Sequence, residues 1–323
     1  MSSFLSQTDL KSSANNIISV LSKPGPHFTY ILFFIVIGFF ILFAPNFATL
    51  GTASSIGRIT AVVTIMAVGM TFVIVCAEID LSVGSHVSFA AMVAGILLYK
   101  DLPGWLTASL VLGLGAFVGA INGIIVTKLK IPSFLVTLGM LSVLRGLALS
   151  FTGSMPVPIV NRDYVDVLAG GSMLGVPAPI WWTLVTVVVG VYILHFSIFG
   201  RRALATGGNT TAAQFSGIAT DEIRIAAFAL CGVTAALAGL VLSARSAAGN
   251  PMLGQGLELD VIAAVIIGGT SLFGGRGFIV GSVIGAIFIG TLGFGLIVMG
   301  LSTNIQEVLK GIIIIGAVSL NRK

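Results

Sequence analysis

The sequence predicts an all-α polytopic membrane protein of about ten transmembrane helices. Three observations carry this. Of 323 residues, 56% are hydrophobic and only 8% are charged, whereas soluble domains carry roughly 25% charged residues. Apolar runs recur from residue 28 to residue 320, divided by short breaks that hold proline, glycine or charge. The 41 glycines suit helices that pack closely in lipid. No shift in composition marks a soluble domain. Residues 28–320 therefore read as a single transmembrane domain between an N-terminal tail, 1–27, and a basic end, 321–323.

The tail is polar, with Pro24 and Pro26 ahead of the first apolar run, and does not read as a cleavable signal. The first span covers about 28–44 and stops at Pro45, which cannot continue a helix. The second covers about 59–76. It meets a polar interruption, Glu78-Ile-Asp-Leu-Ser-Val-Gly-Ser-His86, and the third apolar run, 87–99, is too short to cross alone. A broken helix is expected near 77–86, facing protein or a water-filled cavity.

The fourth span, about 105–126, carries Gly115, Gly119 and Gly123 every four residues, a stripe that lets a second helix approach closely. Lys128, Lys130 and Pro132 lead to the fifth span, 133–150. A loop rich in Pro, Gly and Asp fills 151–179. The sixth span, 180–199, opens on Trp181 and Trp182, a pair suited to the membrane interface.

The longest polar break follows, Gly200 to Arg224. Its three arginines, two acids and amide side chains cannot lie in hydrocarbon without partners. The seventh span is about 225–243, followed by a loop with Gly249-Asn-Pro. The eighth, 259–272, is again short and ends in a second break near 268–277. The ninth, 278–299, repeats the four-residue glycine spacing with Gly277, Gly281 and Gly285, and the tenth is 305–320. Glycine stripes five spans apart have opposite orientations, the arrangement of an inverted repeat. An eight-span arrangement, with either short span re-entrant, stays open.

Ten spans put both termini on one side. That side holds Lys11, Lys23, Lys128, Lys130, Arg201, Arg202, Arg224, Arg276, Arg322 and Lys323; the other holds Arg58, Lys100, Arg162 and Arg245. Positive charge gathers on the cytoplasmic side, so both termini and Gly200–Arg224 are expected there. The same rule accounts for the net charge of +5 without nucleic acid.

Catalytic and metal signatures are missing from the sequence. Gly269–Arg276 places Gly275 and Arg276 where a phosphate-binding loop needs Lys and Ser or Thr. His27, His86 and His195 have no ligand spacing, and Cys76 and Cys231 sit within apolar runs. The chain reads as a non-enzyme without a cofactor or metal of its own. Glu307 and Lys310, three apart, are expected to pair with each other. Glu78 and Asp80 are expected to bind free amides at the first break. Asn122, Ser133, Thr137, Ser142 and Thr234 either line a path for an uncharged hydrophilic solute or make helix-packing hydrogen bonds.

Four stretches resemble a known family, the membrane-spanning permeases of bacterial monosaccharide ABC importers of the ribose type. They are Ala67-Val-Gly-Met-Thr-Phe-Val-Ile-Val with Glu78-Ile-Asp-Leu-Ser-Val-Gly-Ser85; Lys130-Ile-Pro-Ser-Phe-Leu-Val-Thr-Leu138 with Leu144-Arg-Gly146; Gly200-Arg with Ala205-Thr-Gly-Gly-Asn209 and Ser216-Gly-Ile218; and Glu258-Leu-Asp-Val-Ile-Ala-Ala with Gly268-Gly-Thr-Ser-Leu-Phe-Gly-Gly-Arg-Gly277. Ala77-Glu78 departs from the family, which often has a glycine pair there. The resemblance implies a permease of the bacterial inner membrane that works with a cytoplasmic sugar-type ABC ATPase holding ATP and magnesium, a periplasmic sugar-binding protein and a second permease copy. It places ATPase coupling on Ala205, Gly207, Gly208, Asn209, Ala213, Ser216 and Gly217. Candidates for the substrate path are Asp80, Ser82, Asn122, Ser133, Phe134 and Thr137. An ion-coupled secondary carrier for a small polar solute is the alternative, and the sugar itself is not legible.

Overall fold

The computed structural model describes residues 27–320; most of the tail (1–26) and the basic end (321–323) lie outside them. The helices are α1 (His27–Phe43), α2 (Leu50–Val75), α3 (Val83–Tyr99), α4 (Gly104–Lys128), α5 (Ser133–Ser150), a short α6 (Arg162–Val165), α7 (Ala178–Val191), α8 (Ile198–Gly208), α9 (Thr210–Phe215), α10 (Thr220–Ser246), α11 (Leu257–Ile267), α12 (Ile279–Val298) and α13 (Thr303–Leu320). Wider helical turns extend α6 over Asp166–Gly170 and α7 over Tyr192–Phe196. Among the described residues, six helices are long and apolar enough to cross a membrane: α2, α4, α5, α7 with its extension, α10 and α12. Among the described residues, strand structure is confined to two short pairs, β1 (Val157–Pro158) with β4 (Ala248–Gly249) and β2 (Ser172–Met173) with β3 (Val176–Pro177).

The core forms around α2, whose residues from Thr60 to Val75 are all buried. A helix enclosed on every side needs no polar face, and this one is almost uniformly apolar. Its three threonines there, Thr60, Thr64 and Thr71, return their hydroxyls to carbonyls one turn back. Such bonds satisfy a hydroxyl where no water reaches.

The glycine stripes have different neighbours. On α4, a Cβ at Gly115 would press on the Gly232 carbonyl, one at Gly119 on the Phe228 carbonyl and one at Gly123 on Ile225 Cα. The stripe thus seats α4 directly on the backbone of α10. On α12, Gly281 and Gly285 face the carbonyls of Gly268 and Ala264, at the end of α11. Gly277 precedes α12 and packs on Val75 and Thr270. The second stripe is therefore part helix and part lead-in, and it serves a half-length helix rather than a full one.

Both expected breaks are present. α2 ends at Val75 and α3 starts at Val83, so helix resumes four residues earlier than the apolar run suggested. Ala77, at φ 63°, turns the chain. α11 stops at Ile267, short of residue 272, because Gly268–Gly277 folds into a tight loop with three left-handed glycines, Gly269, Gly274 and Gly275. The Ser271 amide closes that loop on the Arg276 carbonyl at 3.0 Å.

Two ends of the bundle can be told apart. One carries α8, α9 and both breaks. The opposite end carries residues 151–179 and the β1–β4 pair. There Trp182 donates to the Val167 carbonyl (2.9 Å) and Trp181 to the Met173 carbonyl (3.2 Å). Tyr164 is buried between its loop and α10, with its hydroxyl 2.8 Å from Ser243 Oγ, and burial pushes the phenol well above its ordinary range.

Two readings of charge change. Lys310 pairs with Asp260 of α11 at 3.1 Å, not with Glu307 one turn before it. Glu307 is exposed, so the contact between α13 and α11 supplies a better-shielded partner. Glu78 does not bind free amides; it pairs with Arg224 at 3.2 Å.

Candidate functional site: a polar segment docked on two broken helices

The polar segment folds as two short helices joined at Asn209. Ser197 caps α8, its Oγ accepting from the Gly200 amide at 3.1 Å. Asn209 sits between the helices in extended conformation and caps α9, with Oδ1 accepting from the Ala212 amide at 2.9 Å. Asn is among the best residues for that position. Gly217, at φ 78°, turns the chain after α9.

The seven residues singled out for coupling lie on this unit but do not all face outward. Ala205, Gly208, Asn209, Ser216 and Gly217 are exposed, Gly207 is half-buried and Ala213 is buried. Phe215 at the end of α9 is 89% exposed and Phe273 in the second break 91%. Fully exposed aromatic rings on a polar surface are a common mark of a protein contact.

Gly207 explains why the unit sits where it does. A Cβ there would overlap the Val75 carbonyl oxygen, at the end of α2. That same carbonyl accepts from the Gly275 amide at 3.0 Å. Three backbones therefore meet at one point: the end of α2, the end of α8 and the second break. Gly208 is different, since a Cβ on it would find only Gly275 Cα at 3.7 Å.

The first break is tied by side chains of neighbouring helices. Ser133 Oγ accepts from the Ile79 amide (3.2 Å) and Thr137 Oγ1 from the Leu81 amide (3.1 Å), both from α5. Asp80 Oδ1 accepts from the Ser82 amide (2.9 Å) and hydroxyl (2.5 Å), as expected for an acid at a helix start. Asn122 of α4 donates to Ser82 Oγ at 3.0 Å. Asp80, Ser82, Asn122, Ser133 and Thr137 thus form one buried network around the break. Phe134 stands apart, half exposed on the outer face of α5. Thr234 and Ser142, also candidates, bond to carbonyls of their own helices.

Arg224 joins these parts. Besides Glu78, it reaches Thr210 Oγ1 with Nη2 at 3.0 Å. One guanidinium, mostly buried, bridges the first break, the first residue of α9 and the N-terminal part of α10. Sequence reading missed this link. The available signal was a charge at residue 78, where a small residue was expected, and an arginine at the mouth of an apolar span. Separation of 146 positions hid the pairing.

Comparison with known proteins gives the family of this chain. A family model described as "Branched-chain amino acid transport system / permease component" matches residues 52–318. The ribose import permease protein RbsC of Escherichia coli (strain K12) is 40% identical over 283 residues, 87% of this chain and 88% of that protein. RbsC of Bacillus subtilis (strain 168) is 40% identical over 308 residues, 94% of each. The L-arabinose transport system permease protein AraH of Escherichia coli (strain K12) is 32% identical over 281 residues, 87% of this chain and 85% of that protein. No solved structure matches the chain. With 267 consecutive residues matched and these relatives aligned over most of their length, the chain belongs to the family of branched-chain amino acid transport system permease components.

Proposed function

We propose that this chain is the membrane-spanning subunit of an ATP-driven importer and passes a monosaccharide or similar small polyol across the bacterial inner membrane. The observation that carries the substrate class is the 40% identity, over 94% of both chains, to a permease named for ribose import. The chain then contributes no catalysis and holds no cofactor. ATP and magnesium belong to a separate cytoplasmic ATPase, and a periplasmic sugar-binding protein delivers the solute.

In this reading ten segments cross the membrane, α1, α2, α3, α4, α5, α7, α10, α11, α12 and α13. Both termini are then cytoplasmic, and a second copy completes the path. The α8–Asn209–α9 unit is the contact for the ATPase. Its exposed Ala205, Gly208, Asn209, Ser216 and Gly217, with Phe215, give a surface that a nucleotide-driven partner can grip. Motion there reaches the network of Asp80, Ser82, Asn122, Ser133 and Thr137 through Gly207 on Val75 and through Arg224 on Glu78.

The test is site-directed cross-linking from Ser216→Cys to the ATPase in the assembled transporter, with Leu174→Cys at the opposite end as control. The reading expects a cross-link from the first whose yield changes with nucleotide. It fails if only the second cross-links.

A further inference from the structure

A stretch of non-helical chain runs inside the bundle where the sequence suggested a surface loop. Gly249 lies against Ala91, Met92 and Gly95 of α3, a Cβ there reaching Gly95 Cα at 3.1 Å and Met92 Cα at 3.3 Å. Five residues on, Gly254 lies against Gly84 and Val87. Between them Ser88 Oγ donates to the Leu253 carbonyl. The chain thus descends along α3 by about seven helical residues, or ~10 Å. α11 begins only after this descent. Residues 249–256 therefore lie beside the middle and lower turns of α3, not beyond its end.

One side of this stretch is open. Met252 is 57% exposed and Leu259 63%, and Gln255 and Gly256 are exposed between them. The amides of Gly254, Gln255 and Gly256 donate to no acceptor among the described residues. Unpaired amides at such depth cannot face hydrocarbon; they need protein or water. Nearby charge is already neutralised or turned away. Asp260 pairs with Lys310, and the Glu258 carboxylate folds inward over Gly84. What remains on the open side is a carboxamide and the two backbone donors of Gln255 and Gly256, all neutral.

From this geometry we infer that Met252, Gln255 and Gly256 line the solute path, with the Gln255 carboxamide and the Gln255 and Gly256 amides offering hydrogen bonds to an uncharged polyhydroxylated solute. The inference rests on the transport reading above and adds a contact surface to it. Neutral donors beside one acceptor suit hydroxyl groups, and nothing on this face balances a carboxylate or an ammonium.

The experiment uses the full chain in intact proteoliposomes, with single cysteines introduced as Gln255→Cys and, separately, Met252→Cys. The native Cys76 and Cys231 are fully buried and give little background. Val188→Cys, on the exposed apolar face of α7, is the lipid-side control. The probes are a charged, water-soluble methanethiosulfonate and a lipid-soluble maleimide. The expected result is modification of the 255 and 252 cysteines by the charged reagent at least about tenfold faster than at Val188→Cys, because thiolate forms only where water reaches. Modification by the maleimide alone puts the stretch against lipid and overturns the inference. Protection from both reagents puts it under a second copy and overturns it equally. None of these outcomes depends on ATP or on uptake, so the transport reading stands or falls separately.

Discussion

Arg224 Nε lies 3.2 Å from Glu78 Oε1 while Arg224 Nη2 donates to Thr210 Oγ1 at 3.0 Å. Both side chains of the ion pair are largely shielded, at 13% and 20% exposed. Removing one partner leaves the other charge poorly solvated, which in buried pairs costs about 3–5 kcal/mol. Arg224→Ala and Glu78→Ala should each lower the unfolding midpoint in detergent. The double variant should lose less than the sum, with a coupling of about 0.5–3 kcal/mol. Additive losses would show that the pair carries no interaction.

Gly207 and Gly208 should respond differently. Gly207→Ala drives a methyl group into the Val75 carbonyl, and forced overpacking of this kind costs about 1–3 kcal/mol. Gly208→Ala makes only an ordinary contact with Gly275 Cα at 3.7 Å and should leave stability unchanged. A bulky Gly208→Trp should still insert into the membrane yet lose ATPase association. Thermal unfolding and co-purification with the ATPase separate these effects.

The α4–α10 contact gives a paired test. Gly119→Leu collides with the Phe228 backbone, whereas Gly113 on the same helix has nothing within 4 Å of a Cβ. Gly119→Leu should cost about 1–3 kcal/mol or prevent folding, and Gly113→Leu should be tolerated. Fluorescence-detected size exclusion of the two variants reads the difference.

Thr137 holds the first break through its hydroxyl. Thr137→Val keeps the shape but leaves the Leu81 amide without its acceptor, a loss of about 1–3 kcal/mol. Thr137→Ser keeps the hydroxyl and should retain most of the stability. Amide hydrogen exchange over 79–82 should accelerate in the valine variant only.

Much of this fold was written into hydropathy. Apolar runs mark the long helices because each must satisfy its own backbone in lipid. The glycine spacing on α4 marks close packing, since only a missing Cβ admits the α10 backbone at Gly115, Gly119 and Gly123. The breaks were visible as short apolar runs beside polar residues. What was hidden depends on tertiary contact. The descent of 249–256 along α3 leaves no trace in composition, because its residues would serve equally well in an exposed turn. Lys310 has a carboxylate one turn away in sequence, yet its partner is Asp260 on another helix. The candidate path residues were legible as polar groups near a break, but their assembly into one network needed α4 and α5 to be placed.

The most direct test is uptake of radiolabelled D-ribose and L-arabinose into proteoliposomes holding this chain, its ATPase and its binding protein, with and without ATP. The account predicts accumulation of a small sugar that requires all three proteins and internal ATP, and that an ionophore leaves intact. Accumulation by this chain alone under an imposed ion gradient, abolished by the ionophore, would contradict it.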